Sequence, residues 1–253
     1  LRLSRIAGWN QTLEDWSFLL ESGSGIGFRT PQGLWIASMV TLPMGSHHGW
    51  ISMVLTDPDW RRHGLAKRLM AIGMDSLQRA GLTATLDATP EGEKIYRTIG
   101  FTGGRALARW KVQPLSGTTC PIDPCIQSIA PEELDEVADW DREFSGCDRR
   151  DILAHLLSSK PELALVKRTS DGRISGYIMG RAGSRLPQLG PLVAAEPETA
   201  SRLFEAAMSL TNGPIYVDAF DCHQSHLAKS PGVVWTKERP FTRMVLGKGT
   251  SPG

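Results

Sequence analysis

The segment Trp50–Met70, WISMVLTDPDWRRHGLAKRLM, restricts this chain more than any other. In it a short apolar strand runs through a turn into a helix whose first turns are crowded with cations. Backbone N–H groups at a helix start are unpaired and the helix dipole is positive there, so Asp or Glu is the usual occupant. Here Arg61, Arg62 and His63 precede Gly64, and Lys67 and Arg68 follow it. An anion at that helix start would remove the conflict. Gly64 and the small Ala66 leave the backbone bare enough for a phosphate or pyrophosphate to reach the amide hydrogens, and the guanidinium groups would neutralise it. A plain solvated basic face is the alternative, as most charge runs are.

Two familiar phosphate-binding patterns do not fit. No Lys-Ser or Lys-Thr follows a glycine here as a P-loop requires, and the most glycine-rich stretch, Ser22–Gly27 (SGSGIG), leads into Phe28, Arg29, Thr30 and Pro31 rather than a helix. That stretch reads as a turn between elements. The net charge of +1 gives no general attraction to nucleic acid or membrane, so the basic cluster is local and its target small. No apolar stretch is long enough to span a bilayer and the N-terminus lacks a signal core, which together read as a cytoplasmic protein. Cys120, Cys125, Cys147 and Cys222 form no metal-ligand spacing and read as reduced thiols. The adjacent His47 and His48 cannot share a strand or helix face and read as a turn or strand edge, so no metal site is expected.

With 253 residues, 41% of them hydrophobic, the chain suits one large or two small domains. Residues Leu3 to Leu20 read as two short helices broken near Gly8, followed by antiparallel strands over Gly27–Arg29, Gly33–Leu42 and Gly49–Thr56, with turns at Pro31–Gly33 and Pro43–Gly45. A helix from about Gly64 to Gly81, a strand at Thr83–Ala88, a helix capped by Thr89 and ended by Gly100, and closing strands at Phe101 and Ala106–Val112 complete a first unit. Gln113–Pro124, with three prolines and one charge, reads as a linker. The expected division is residues 1–113, a linker over 114–125, and 126–253. The second part repeats the element order of the first: helices at Pro131–Glu143 and Arg149–Ser158, strands at Leu163–Arg168, Ile174–Arg181 and Gln188–Val193, a helix at Pro197–Leu210, then strands at Ile215–Ala219 and Phe241–Leu246. After Val193, however, come Ala194, Ala195, Glu196, Pro197, Glu198 and Thr199, acids without a glycine, where a phosphate would meet repulsion.

Arg61-Arg62-His63-Gly64-Leu65-Ala66 resembles the Arg/Gln-x-x-Gly-x-Gly/Ala loop of the GCN5-related N-acetyltransferases (GNAT). Leu86–Pro90 and Tyr96–Phe101 resemble the second half of that family's core. Ala7–Gln11 with Asp15 and Trp16 resembles a bacterial branch with two such domains in tandem, the second lacking a cofactor site. The resemblance implies an α+β fold of two tandem GNAT-like domains, each a mixed, largely antiparallel twisted sheet flanked by helices. That fold opens with a strand before its first helix, so native residues are expected to precede Leu1. Arg62 stands where many members have Gly.

The implied activity is acetyl transfer from acetyl-coenzyme A to an amine, most simply on a small molecule, without a metal. Arg61, Arg62, His63, Gly64, Leu65, Ala66 and Lys67 would hold the pyrophosphate, and Val54, Leu55 and Thr56 would bind the pantetheine arm as an added strand, the Val54 amide polarising the thioester carbonyl. Tyr96 is the candidate acid for the departing thiolate, a core tyrosine being the alternative. Asp87 is the candidate base, or else binds the acceptor's ammonium or caps the following turn. Trp9, Asn10, Asp15 and Trp16 are the candidate acceptor ligands, suited to a cationic amine by ionic and cation–π contacts, unless the tryptophans are core. A non-catalytic coenzyme A-binding sensor is the competing class.

Overall fold

The computed structural model describes residues 1–115 and 123–247. They form two compact units, one of Leu1–Arg105 together with residues 242–247, the other of Ala106–Phe241.

The first unit begins with α1 (Arg2–Ile6) and α2 (Leu13–Ser22), then β1 (Ser24–Arg29), β2 (Trp35–Met44), β3 (His48–Thr56), α3 (Leu65–Arg79), β4 (Thr83–Ala88) and α4 (Pro90–Arg97). The glycine-rich stretch read as a turn is instead the end of α2 and the start of β1. Its glycines permit contact: a Cβ on Gly23 would lie 2.3 Å from the Thr41 carbonyl oxygen, and one on Gly25 2.3 Å from Leu20 Cδ2 of α2. β2 runs through Pro43 and Met44, so the turn, at residues 45–47, falls two residues later than expected. The two closing strands are one long strand, β5 (Phe101–Pro114), which takes in the start of the expected linker; residues 116–122, Cys120 among them, lie outside the described residues.

Sheet neighbours in this unit are antiparallel except β3 and β4. Helix α3 covers one face, where Met39, Ile51, Leu69, Met70, Leu86 and Phe101 are buried together. The α2 residue Leu20 packs at Gly25, on the opposite face from Ile26 and Phe28, so α1 and α2 cover the other side.

The second unit holds β6 (Ile126–Ser128), α5 (Leu134–Ser145), α6 (Arg150–Ser159), β7 (Leu165–Arg168), β8 (Ile174–Arg181), β9 (Gln188–Ala194), α7 (Pro197–Ser209), β10 (Ile215–Phe220), α8 (Asp221–Leu227) and the start of β11 (Val233–Leu246). Of these, α8 and β6 were not anticipated. The sheet is again mixed, with β9 and β10 parallel and the other described pairs antiparallel. Leu203 and Phe204 of α7 pack on one face with Ile215 and Val217, while Val137, Leu153 and Met179 fill the other.

The two long strands each serve both units. β5 enters the second at Ala106 and pairs with β10 from Leu107 to Val112; β11 enters the first at Thr242 and pairs antiparallel with β4 from Thr85 to Ala88. The sequence division at 113 therefore differs from the compact units. The strand read at Phe241–Leu246 as the end of the second domain lies almost wholly in the first.

A closed polar network anchors α5 to β8. The fully buried Asp141 carboxylate accepts N–H bonds from Arg149 at 2.5 and 2.9 Å and the Tyr177 hydroxyl at 2.7 Å. Burial pushes the Tyr177 phenol well above its ordinary range, so it stays a donor. Asp141→Ala would leave Arg149 enclosed without its counter-ion, and urea denaturation should show the second unit losing about 3 kcal/mol.

Candidate active site

The division of the first sheet creates the site. β3 and β4 pair only from His48 to Trp50 against Thr83 to Thr85, after which β4 turns to β11 and the edge of β3 from Ile51 to Thr56 has no ladder partner on that side. A β-bulge sits in this edge: Ser38 pairs with Leu55 but Val40 with Ser52, so Met53 and Val54 together oppose Met39, and Met53 takes φ 51°. The Met53 carbonyl accepts the Ser38 hydroxyl of β2 at 3.0 Å. In a trans peptide the carbonyl and the next N–H point opposite ways. The Val54 amide is thereby aimed away from β2, into the gap between β3 and β4.

At the end of the same strand lies the cation-rich loop. Asp57 opens it: its carboxylate accepts the Asp59 amide at 3.1 Å and the Arg2 guanidinium of α1 at 2.6 Å. The Arg2 guanidinium holds that carboxyl below its usual range. A single 3-10 turn, Pro58–Trp60, follows, then Arg62 at φ 65° and Gly64 at φ 74°. The left-handed geometry at Arg62 is what glycine supplies without strain, and a side chain there costs on the order of 1 kcal/mol. The first hydrogen bond of α3 runs from Arg68 N–H to the Gly64 carbonyl at 3.0 Å, so the amides of Leu65, Ala66 and Lys67 are the free donors of the helix start. Arg61, Arg62 and Lys67 are exposed, and among the described residues no carboxylate pairs with them. Arg68 is used differently, its guanidinium lying 4.8 Å from the Phe28 ring centre. The helix start thus presents three free amides beside exposed cations.

Tyr96 lies in α4, the helix started by Thr89, whose hydroxyl accepts the Gly92 amide at 3.2 Å. Its ring is 8% exposed and packs 6.0 Å from Phe101, so the core reading holds for the ring. Burial alone pushes its phenol up to about 12, with no hydrogen bond contributing. Asp87 is held in an ion pair: Arg243 of β11 donates from Nε at 2.9 Å and from Nη2 at 3.1 Å. Sequence reading missed Arg243, since nothing local to a residue 156 positions away marks it as a partner.

The helical corner is mostly occupied with holding itself. Asp15 accepts the Thr12 amide at 2.8 Å in a capping box, Trp16 donates its indole N–H to Ser4 at 2.8 Å, and Asn10 is fully buried; Trp9 is half-buried. His47 lies in the turn before β3 and His48 at its first position. Among the described residues, Cys125, Cys147 and Cys222 are in no disulfide. Among the described residues no group of three or more His, Cys, Asp or Glu could hold a metal ion, and no helix is long and apolar enough to cross a membrane.

The second unit repeats the divided sheet without its chemistry. β9 and β10 pair only at Gln188 and Leu189, and β9 has a bulge at the corresponding place, where Gly190 and Pro191 together oppose Met179. Pro191 occupies the bulge position of Val54 and has no N–H to donate. Eight residues, 57–64, separate β3 from α3, but only Ala195 and Glu196 separate β9 from α7. Helix α8 carries no tyrosine.

Known proteins divide the chain similarly. Residues 32–105 and residues 137–252 each match a family model described as an acetyltransferase (GNAT) domain. The holothin acyltransferase of Pseudoalteromonas sp. (strain SANK 73390) is 23% identical over 175 residues, 69% of this chain; the match spans only 58% of that protein. A crystal structure of a Pyrococcus horikoshii protein assigned as an acetyltransferase superposes with a TM-score of 0.75 at 17% identity, covering 93% of this chain and 78% of that one. A tandem GNAT protein from the clavulanic acid biosynthesis pathway superposes with a TM-score of 0.59 at 13% identity, covering 95% and 89%. This chain belongs to the GNAT acetyltransferases and carries two of their domains in tandem.

Proposed function

We propose that the chain is an acetyl-coenzyme A-dependent N-acetyltransferase that moves an acetyl group to an amine of a small molecule, by direct attack in a ternary complex on the first unit. A cytoplasmic setting belongs to the same reading. The observation that carries it is the combination, along one strand, of a Val54 amide turned into an open sheet gap and a helix start lined with free amides and unpaired cations.

Arg61, Arg62 and Lys67, with His63, Gly64, Leu65 and Ala66 supplying backbone, would hold the pyrophosphate. The free edge at Val54, Leu55 and Thr56 would align the pantetheine arm by strand-like hydrogen bonds. The Val54 N–H is then placed to stabilise negative charge developing on the acyl oxygen as the amine's lone pair forms the C–N bond. As the C–S bond breaks, the Tyr96 hydroxyl gives its proton to the leaving sulfur, and the proton lost by the acylated nitrogen passes to water, from which the phenolate regains one; a phenol near 12 remains protonated wherever an amine acceptor is free to react. Both Asp87 oxygens already accept N–H bonds from Arg243, so Asp87 suits holding the acceptor's ammonium better than abstracting its proton. Trp9 and Asn10, with the corner built by Asp15 and Trp16, would frame the acceptor from the helical side.

A coenzyme A sensor would need the loop and the strand edge but not a buried phenol, and this favours the enzyme. Calorimetry of the full chain with acetyl-coenzyme A should give one site per chain, and Arg61→Glu combined with Gly64→Asp should abolish it. Two equal sites, or binding that survives the double substitution, would remove the loop from the reading.

A further inference from the structure

Among the described residues of the first unit's strands, three polar side-chain atoms are buried without a hydrogen-bond partner: His48 Nδ1, Ser52 Oγ and Thr85 Oγ1. They share one sheet face. Gly49 and Ile51 face α3, so His48, Trp50 and Ser52 point to the side of α1 and α2, and Trp50 stands opposite Thr85 in the parallel register. Asp87 follows Thr85 on that face, with Arg243 across from it in β11 and the Arg243 guanidinium 4.9 Å from the Trp50 ring centre. The face thus carries one carboxylate, one guanidinium, an indole and two orphan hydroxyls, at the place where the β3–β4 ladder ends and opposite the direction from which the Val54 strand edge would deliver the acyl group.

A buried hydroxyl without a partner costs roughly 1–3 kcal/mol, and such groups in a native fold call for a ligand or bound water. The charges narrow the ligand. A simple cation would meet a carboxylate already neutralised by Arg243, and a simple anion would meet a guanidinium already neutralised by Asp87. A molecule bearing both charges satisfies both ions and leaves neither unpaired. Both side chains keep some accessible surface, 25% for Asp87 and 13% for Arg243.

We propose that the acceptor is a zwitterionic amine, an amino acid or similar amine-bearing carboxylate, with its ammonium on Asp87, its carboxylate on Arg243, and Ser52 and Thr85 completing its hydrogen bonds. This rests on the acyl-transfer reading above. Arg243 is in this role a specificity-determining residue, supplied to the first unit by the last strand of the chain.

The test uses the full chain, acetyl-coenzyme A and a panel of α-, β- and γ-amino acids, each paired with its carboxamide, together with putrescine and glucosamine, with thiol release as readout. The expected result is a kcat/KM at least about tenfold higher for a carboxylate than for its carboxamide, the value of roughly one charge-assisted hydrogen bond. Arg243→Gln should raise KM for the amino acid about tenfold more than for its carboxamide, a difference that a purely structural ion pair would not produce. Arg243→Lys, which keeps the charge, should retain the preference and covers the case in which Arg243→Gln fails to fold. Thr85→Val should keep or raise thermal stability while raising the amino acid's KM. Equal rates for carboxylate and carboxamide, or transfer confined to putrescine or glucosamine, would overturn the proposal while sparing acyl transfer. If no amine releases thiol, acyl transfer itself has failed, and thermal shift decides the rest: stabilisation by an amino acid but not by its carboxamide, lost in Arg243→Gln, supports the site, and its absence overturns it.

Discussion

A chain ending at Phe241 is expected to lose the fold of its first unit, although every residue removed lies far from that unit in sequence. Residues Thr242–Val245 form the ladder with Ala88–Thr85, Thr242 donates its hydroxyl to Glu93 of α4 at 2.7 Å, and Gly247 N–H bonds the Gly100 carbonyl at 3.1 Å. Met244 is fully buried with Leu69, Met70, Tyr96 and Phe101. Removing a buried methionine alone costs about 2–5 kcal/mol, and stripping β4 of a neighbour adds an open edge, against a typical total stability of about 5–15 kcal/mol. The truncated chain should lose the first unit's cooperative urea transition and its coenzyme A binding. The converse is the sharper check: residues 1–105 joined to 242–253 by a flexible Gly/Ser linker should fold and bind on their own, whereas residues 1–113 should not. A first unit that unfolds at the same urea midpoint with and without residues 242–253 would refute the exchange of strands as a source of stability.

Replacing Tyr96 with Phe should lower turnover by about 10²-fold or more, the usual contribution of a positioned proton donor, with acetyl-coenzyme A affinity little changed. Stability gives the internal control. Burial alone shifts the phenol, with no hydrogen bond contributing, so loss of the hydroxyl costs no such bond while the ring keeps its place against Phe101. The thermal midpoint should therefore hold or rise as activity falls. Unchanged turnover would return Tyr96 to packing alone.

Local pattern revealed the parts whose cause is local. β4 has the bounds read for it, and Thr89 and Pro90 start α4 because capping chemistry acts within one helical turn, whereas the helix ends at Arg97 with Thr98 as its C-cap, short of the expected Gly100. The loop from Arg61 to Lys67 was legible because a helix start dressed in cations conflicts with its own dipole. The glycines at 23 and 25 misled for an equally physical reason: a glycine that admits a neighbouring helix looks the same in sequence as one that makes a turn. The bulge at Met53, which aims the Val54 amide, and the bulge that puts Pro191 in the equivalent place of the second unit depend on how many residues the adjacent strand sets against them.

The sequence by itself determined two successive α+β units, the phosphate-type loop of the first and the acids that replace it in the second, because helix periodicity, caps and charge at a helix start are written within a few residues of where they act. Only the tertiary structure decided which strand closes which unit. Strand identity follows from alternation along one segment, but strand partnership depends on which edge is left open elsewhere, and β4 was left open for a strand from the far end of the chain. With that strand came Arg243 and its ion pair with Asp87.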